Sequence, residues 1–403
     1  MKGSFEALKL SDHVYWVGAV DWGIRDFHGY STFRGTTYNA YLIMGDDTIL
    51  VDTVKAPFMD ELLLRVSSVT DPVNIRYLIS NHSEMDHSGS LPRVIERIKP
   101  EKVFASPMGV KALADHFHMG TEIVAVKDGE GLTLGNLNMF FVETRMLHWP
   151  DSMFTYLAED RLLFSQDAFG MHLASGERYA DEIPESVLLE EGAKYYANII
   201  LPYSAVVKKT LEKVGRLGLD ISIIAPDHGP IWRKDLDMIT GLYSRWAAQE
   251  PTDRAVVVFD TMWGSTESMA RAVGEGLVAG GAGVSIMPLK SANRSDVITE
   301  LLDAGALLVG SPTINNNMFP TVADFLCYAR GLKPQNLIGS AFGSYGWSGE
   351  AVGHVADILS EMKVDPVGEA IKVRYVPEFE TLQRCRALGL KVAGTLKGAV
   401  GSG

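Results

Sequence analysis

The stretch RYLISNHSEMDHSGS, residues 76–90, runs from an apolar strand into a loop holding two imidazoles and two carboxylates. An extended strand sends alternate side chains to opposite faces, whereas a loop at a strand end lets neighbouring side chains converge. Packed together without a cation, His82, Glu84, Asp86 and His87 would repel one another and lose solvation. A bound divalent cation removes both costs. Any one of these residues alone reads as an ordinary core or surface group, but the spacing His-x-Glu-x-Asp-His points to metal.

Three further ligand candidates sit in matching contexts. His148 lies just past a strand in FVETRMLHWPDS, Asp167 follows RLLFSQ, and His228 follows a strand in ISIIAPDHG. All three fall at C-terminal strand ends, where loops gather a site in layered folds. Four histidines, two aspartates and one glutamate suffice for two metal ions if one carboxylate bridges. Nitrogen and oxygen donors without thiolate suit zinc, iron or manganese. Three carboxylates against four imidazoles make a more anionic set than the histidine-rich sites of dizinc hydrolases. That favours iron and leaves zinc open.

The 403 residues exceed what one hydrophobic core usually supports, so two domains are expected. The first, residues 1–250, mixes hairpins with helices. TTYNAYLIMGDDTILVDTV, LTLGNLNMFFVET and FTYLAEDRLLFSQDAF read as hairpins. Helical periods appear in MDELLLRVSSV, SLPRVIERI and VLLEEGAKYYANII. The pattern predicts two packed sheets with helices outside, an αββα sandwich. After a polar Glu250-Pro251-Thr252-Asp253 linker, residues 251–403 alternate short β runs with helices. Five such runs predict a doubly wound, five-stranded parallel sheet, so the whole chain reads as α/β.

That second half carries its own ligand pattern. In FDTMWGSTESMA, the segment Thr261, Met262, Trp263, Gly264, Ser265 and Thr266 joins a strand to a helix. Its hydroxyls and the helix-start N–H groups make a cradle for a phosphate. No Walker lysine follows, so a mononucleotide fits better than a nucleoside triphosphate. Pro312, Thr313, Ile314, Asn315 and Asn316 end the third strand. Ser344, Tyr345, Gly346, Trp347, Ser348 and Gly349 end the fourth. These strand ends flank the switch point of such a sheet. Asn and backbone groups would read the edge of an isoalloxazine and Trp347 its face, which makes FMN the expected ligand.

With a net charge of −13, nucleic acid and anionic membrane surfaces are not expected partners. Cys327 and Cys385 are the only cysteines, which excludes a disulfide framework and Cys-x-x-Cys sites, and a cytoplasmic location is expected. The N-terminal stretch lacks the features of a signal peptide, and no apolar run approaches a membrane span. The closing KGAVGSG reads as a tail.

The His-x-Glu-x-Asp-His loop resembles the metallo-β-lactamase signature with glutamate in place of its middle histidine. Followed by a flavodoxin-like half, it is similar to the pattern of the flavodiiron proteins, or A-type flavoproteins. VGAVDWGIRDFHGY, GTTYNAYL, ETRMLHWPDSM, APDHG and SPTINNN support the likeness, which covers all but the extreme termini. The resemblance implies that His82, Glu84 and His148 bind one iron, and Asp86, His87 and His228 the other, with Asp167 bridging. It implies reduction of dioxygen to water, of nitric oxide to nitrous oxide, or both, at a non-haem diiron centre fed by FMN. It also implies a head-to-tail homodimer or a dimer of dimers. His28 and Tyr196 are candidates for donating a hydrogen bond or proton near the metals, with a structural role open for each. The sequence holds no rubredoxin segment, so electrons are expected from a separate rubredoxin or a reduced deazaflavin coenzyme. Two other classes remain: a dizinc hydrolase fused to a flavodoxin, which Glu84 and FMN argue against, and a non-catalytic electron-transfer module, which the complete ligand set argues against.

Overall fold

The computed structural model describes residues 5–118 and 120–400. By contact they divide into two units. One comprises the chain up to Phe27, Thr32–Tyr195 and Tyr203–Ser244; the other comprises His28–Ser31, Tyr196–Pro202 and the chain from Arg245 onward.

The first unit is built on two sheets. Its first sheet has seven strands in sequential order: β1 (Leu8–Lys9), β2 (Val14–Trp16), β3 (Tyr41–Met44), β4 (Thr48–Val51), β5 (Ile75–Ser80), β6 (Lys102–Ala105) and β7 (Ile123–Ala125). The expected hairpin at GDD joins β3 to β4 antiparallel, and from β4 onward the strands run parallel. The second sheet has five: β8 (Gly131–Leu134), β9 (Leu137–Glu143), β10 (Met153–Leu157), β11 (Leu162–Gln166) and β12 (Ile223–Pro226). The other two hairpins join β8 to β9 and β10 to β11.

Period-two alternation decides which side chains meet between the sheets. Tyr41, Ile43, Ile49, Val51, Tyr77 and Ile79 face Met139, Phe141, Met153 and Phe164 of the second sheet. The intervening Leu42, Leu50 and Leu78 face the other way, onto Leu62 and Val66 of α1 (Met59–Ser67) and Val94 and Ile98 of α2 (Leu91–Ile98). Strands β4 and β5 are therefore apolar on both faces. The only place such strands can present polar chemistry is past their C-terminal ends, and Asp52 and His82 stand there.

Buried polar side chains tie those ends together. Asn39 takes a hydrogen bond from the Trp16 indole at 2.8 Å and donates to the carbonyls of Pro226 at 2.7 Å and Gly229 at 3.0 Å. Thr155 on β10 donates to the Asn81 amide at 2.7 Å, and Asn81 donates to Asp52 at 2.7 Å.

The second unit is the expected doubly wound sheet. Strands β13 (Arg254–Phe259), β14 (Gly283–Pro288), β15 (Ala306–Gly310) and β16 (Ile338–Tyr345) lie in spatial order β14-β13-β15-β16, all parallel. The fifth position is split: Asp365–Pro366 and Ile371–Arg374 each pair parallel with β16. One face is covered by α3 (Ser265–Ala279) and α4 (Phe379–Val400), which contribute Met269, Val273, Cys385 and Val392 to the core. The two helices approach backbone to backbone, because a Cβ on Gly389 would stand 2.1 Å from the Val273 carbonyl oxygen. The closing stretch read as a tail continues α4 as far as Val400; its last three residues lie outside those described. Among the described residues no helix is long and apolar enough to cross a membrane.

Replacing Asn39 with Ala strands the Trp16 N–H and two buried carbonyls. The expected cost is about 2–4 kcal/mol, read as an earlier urea midpoint for the first unit. An unchanged midpoint would contradict this account of how the strand ends are held.

Candidate metal centre and cofactor site

Strand β5 ends at Ser80, and a single helical turn, Met85–Ser88, follows. His82 and Glu84 precede the turn and Asp86 and His87 ride on it, so four side chains leave a short stretch of chain in converging directions. The loop is pinned from outside: Thr53 N–H and hydroxyl both donate to the His87 carbonyl, and the Ser88 hydroxyl donates to Ser83 carbonyl at 2.7 Å. The Gln166 side chain donates to the Leu147 carbonyl and accepts from the Asp167 N–H at 2.6 Å, tying the His148 loop to the end of β11. His228 donates Nδ1–H to the Thr37 carbonyl at 2.6 Å, which leaves its Nε2 facing inward.

All seven residues singled out from the sequence come together in the first unit. Their arrangement has two foci sharing one carboxylate. Asp167 Oδ2 stands 3.2 Å from His82 Nε2 and 3.0 Å from His148 Nε2, and His148 Nε2 is 3.1 Å from Glu84. Asp167 Oδ1 faces the other group, 3.6 Å from His228 Nε2 and 3.9 Å from His87 Nε2. Asp86 Oδ2 is 3.1 Å from His228 Nε2 and 3.5 Å from His87 Nε2. Glu84 and His148 are the most exposed of the seven side chains, at 10 % and 16 %; the other five are 4 % or less.

This arrangement suits a cation and little else. Both oxygens of Asp86 and of Asp167, both ring nitrogens of His82 and the Nδ1 of His87 are buried without a hydrogen-bond partner. His87 and His228 point their Nε2 atoms at one another across 3.1 Å. Orphaned buried polar atoms at this density are rare in a folded chain, and divalent cations at the two foci would satisfy them. Protonation follows the same geometry. Burial works against charge on His148, yet Asp167 and Glu84 hold it up at about 9. Burial likewise opposes charge on His82 and His228, and the facing carboxylates still raise both. His87 is brought down to about 4 by burial and by His228 and His82, against the pull of Asp86.

Two acidic neighbours escaped the sequence reading, and a third residue, Tyr195, could be confused there with the candidate Tyr196. Asp227 is fully buried, directly before His228, and its carboxylate stands behind the His82 and His87 rings. Asp52, raised to about 6 by burial, accepts the Asn81 backbone N–H at 2.8 Å. Both follow apolar strands as the clustered candidates do, which is the signal that could have found them. The third is Tyr195, whose ring lies 5.1 Å from that of His172 and 6.0 Å from that of His228. Tyr196 begins a π-helical turn, Tyr196–Ile200, and its ring lies 5.3 Å from that of Trp246. Successive residues point to different sides of a helix, and the one whose ring packs towards His228 is Tyr195 rather than Tyr196. His28, with a positive φ of 55°, falls with the second unit.

In the second unit a cavity of about 670 Å³ opens at the C-terminal ends of the sheet. Met262, Trp263 and Ser265 line it, as do Pro312, Thr313, Ile314, Asn315 and Asn316, and Ser344, Tyr345, Gly346, Trp347 and Ser348. Trp263 and Trp347 are 94 % and 86 % exposed, so each presents an aromatic face to solvent. Asn315 and Asn316, both at positive φ, form the two-residue turn of a small hairpin, Thr313–Ile314 with Asn317–Met318. Thr261, Gly264, Thr266 and Gly349 support the walls instead. The Thr261 hydroxyl takes the Gly264 N–H at 3.0 Å, and Thr266 is buried against Ser344. Tyr375 and Val376, past the split fifth strand, complete the lining and were not expected. A cavity at a helix N-terminus with flat aromatic walls fits a flavin mononucleotide.

Residues 36–229 match the ODP family beta lactamase and residues 257–389 match the flavodoxin family. A nitric oxide reductase of Moorella thermoacetica is 46 % identical over 97 % of this chain and 99 % of its own. Among solved structures, the rubredoxin oxygen:oxidoreductase of Desulfovibrio gigas superposes with a TM-score of 0.96 at 43 % identity, over 98 % of this chain and 100 % of its own. The flavodiiron protein of Giardia intestinalis also gives 0.96, at 33 % identity over 100 % of this chain and 99 % of its own. The chain belongs to the flavodiiron protein family. It is an oxidoreductase whose cofactors are FMN and a diiron centre, and the hydrolase and electron-transfer-module readings fall away.

Cation binding at the metal centre has a defined proton linkage. With His148 held up at about 9, a divalent cation taken up at neutral pH displaces a proton there, and His82 and His228 add to the release. His87, at about 4, has none to lose. Affinity therefore falls as pH drops through about 9, where His148 takes up its proton. Calorimetric titration of the metal-free chain at pH 7, in two buffers of different ionisation enthalpy, reads the release. Equal heats in both would contradict it.

Proposed function

We propose that this chain reduces dioxygen to water, nitric oxide to nitrous oxide, or both, at a pair of irons held by the seven-residue cluster. His82, Glu84 and His148 hold one iron, Asp86, His87 and His228 hold the other, and Asp167 spans them. The observation that carries this assignment is the division of Asp167, whose Oδ2 faces one triad and whose Oδ1 faces the other.

When bound, the iron pair and the flavin together supply four electrons, enough with four protons to take dioxygen to two waters; two electrons and two protons suffice to couple two nitric oxide molecules. The protein's own contribution is placement and exclusion. Glu84 and His148 are the most exposed members of the cluster, so a diatomic gas approaches from their side. Five ligands at or below 4 % exposure keep bulk water from the rest. The cavity between Trp263, Asn315 and Trp347 holds FMN. Electrons reach it from a separate donor, a rubredoxin or a reduced deazaflavin coenzyme; the name of the Desulfovibrio gigas relative supports the first. The working form is a head-to-tail homodimer, alone or paired into a dimer of dimers, in the cytoplasm.

Rapid mixing of fully reduced, iron-loaded protein with dioxygen or nitric oxide tests the reading. Flavin reoxidation is expected to be fast in at least one arm, with no peroxide in the dioxygen arm. Peroxide as the main product, or slow reoxidation in both arms, would overturn it. Replacing Asp167 with Ala is expected to lose paired iron and fast reoxidation while leaving FMN bound. Unchanged iron content in that variant would contradict the spanning role.

A further inference from the structure

Behind the seven proposed ligands stands a buried carboxylate that is not among them. Asp227 is fully buried, and neither side-chain oxygen has a hydrogen-bond partner. Its backbone is fixed on both sides: its N–H donates to the Gln166 carbonyl at 2.8 Å, and its carbonyl accepts the Asn39 N–H at 2.7 Å. A single oxygen, Oδ2, then lies 3.4 Å from His82 Nδ1 and 3.8 Å from His87 Nδ1. The two rings sit side by side with centroids 5.0 Å apart. Each turns its Nε2 toward the cluster interior, His82 to Asp167 and His87 to Asp86, and its Nδ1 toward Asp227.

We infer that Asp227 is a shared positioning residue for both irons. It touches neither metal's facing atoms, because it stands on the Nδ1 side of both rings. With its Oδ2 facing both Nδ1 atoms, it favours the tautomer that leaves each Nε2 lone pair directed inward. A carboxylate behind a ligating imidazole orients the ring and raises its basicity. Here one carboxylate serves one histidine from each triad, so the two iron positions are linked from behind as well as through Asp167. The other two histidines lie outside this link: His228 rests on the Thr37 carbonyl, and His148 contacts Asp167 and Glu84. Two consequences follow. Occupancy of the two positions depends on the same side chain, and an acceptor behind both rings strengthens their donation to the irons and so favours the oxidised state of both.

This inference rests on the ligand assignment above, and the test separates the two. Full-length, FMN-loaded protein is stripped of metal and titrated anaerobically with ferrous iron, as wild type, Asp227→Asn and Asp227→Ala. Wild-type protein that took up no iron pair would sink the assignment itself. Given wild-type binding, both variants are expected to bind iron roughly 10- to 100-fold more weakly at both positions. In reloaded Asp227→Asn the midpoint potentials of both irons are expected to rise, a shift that a loss of packing alone would not produce. Unchanged affinity, weakening confined to one position, or unshifted potentials would overturn the shared role. Asp227→Asn keeps the shape of the side chain and decides the matter if Asp227→Ala does not fold.

Discussion

Seven ionisable side chains converge in the first unit where almost no water reaches them, and much of the surrounding structure serves that convergence. Carboxylates and imidazoles taken out of water without compensation are costly at every atom. They persist only if something else supplies charge and ligand bonds and if the backbone leaves them no escape. Two apolar sheets supply the second condition. Strands β4 and β5 are buried on both faces, so their polar residues are forced to the C-terminal ends, where Asp52 and the His82 loop stand. Hydrogen bonds from Thr53, Asn39 and Gln166 then hold the loops against the repulsion they would otherwise relieve by opening.

The same constraint bears on the redox chemistry hosted here. Glu84 stands where the related signature has histidine, and it meets His148 at 3.1 Å on the accessible side of the cluster. As a ligand, this glutamate would add negative charge to the site and favour the harder, more highly charged metal state. The flavodoxin-like unit answers a different requirement. Its loops gather at the switch point of a parallel sheet, where two exposed tryptophans and a helix N-terminus await a flat, phosphorylated ligand.

Much of this was legible in the residues themselves. The apolar runs YLIM and TILV marked two strands, the GDD turn marked their hairpin, and the βα alternation after Asp253 marked the second sheet. The seven clustered side chains were legible because metal ligands must be polar and must follow strands. What stayed hidden depended on geometry with no local signature. Asp227 looks like a turn residue beside a histidine until folding sets it behind two rings from a loop some 140 positions earlier. Which of the two tyrosines of KYYANII faces His228 depends on how the helix is rotated against the cluster, which the residues alone do not show. Tyr375 and Val376 reach the cavity only because the fifth strand is split and resumes alongside β16.

The central claim is that the buried cluster holds a pair of irons spanned by Asp167. Crystals of anaerobically purified protein, measured with X-rays on either side of the iron absorption edge, address it directly. The account expects two anomalous peaks in the first unit, one beside His82, Glu84 and His148, the other beside Asp86, His87 and His228, with Asp167 touching both. A single peak, peaks that appear only at the zinc edge, or a pair that Asp167 does not join would contradict it.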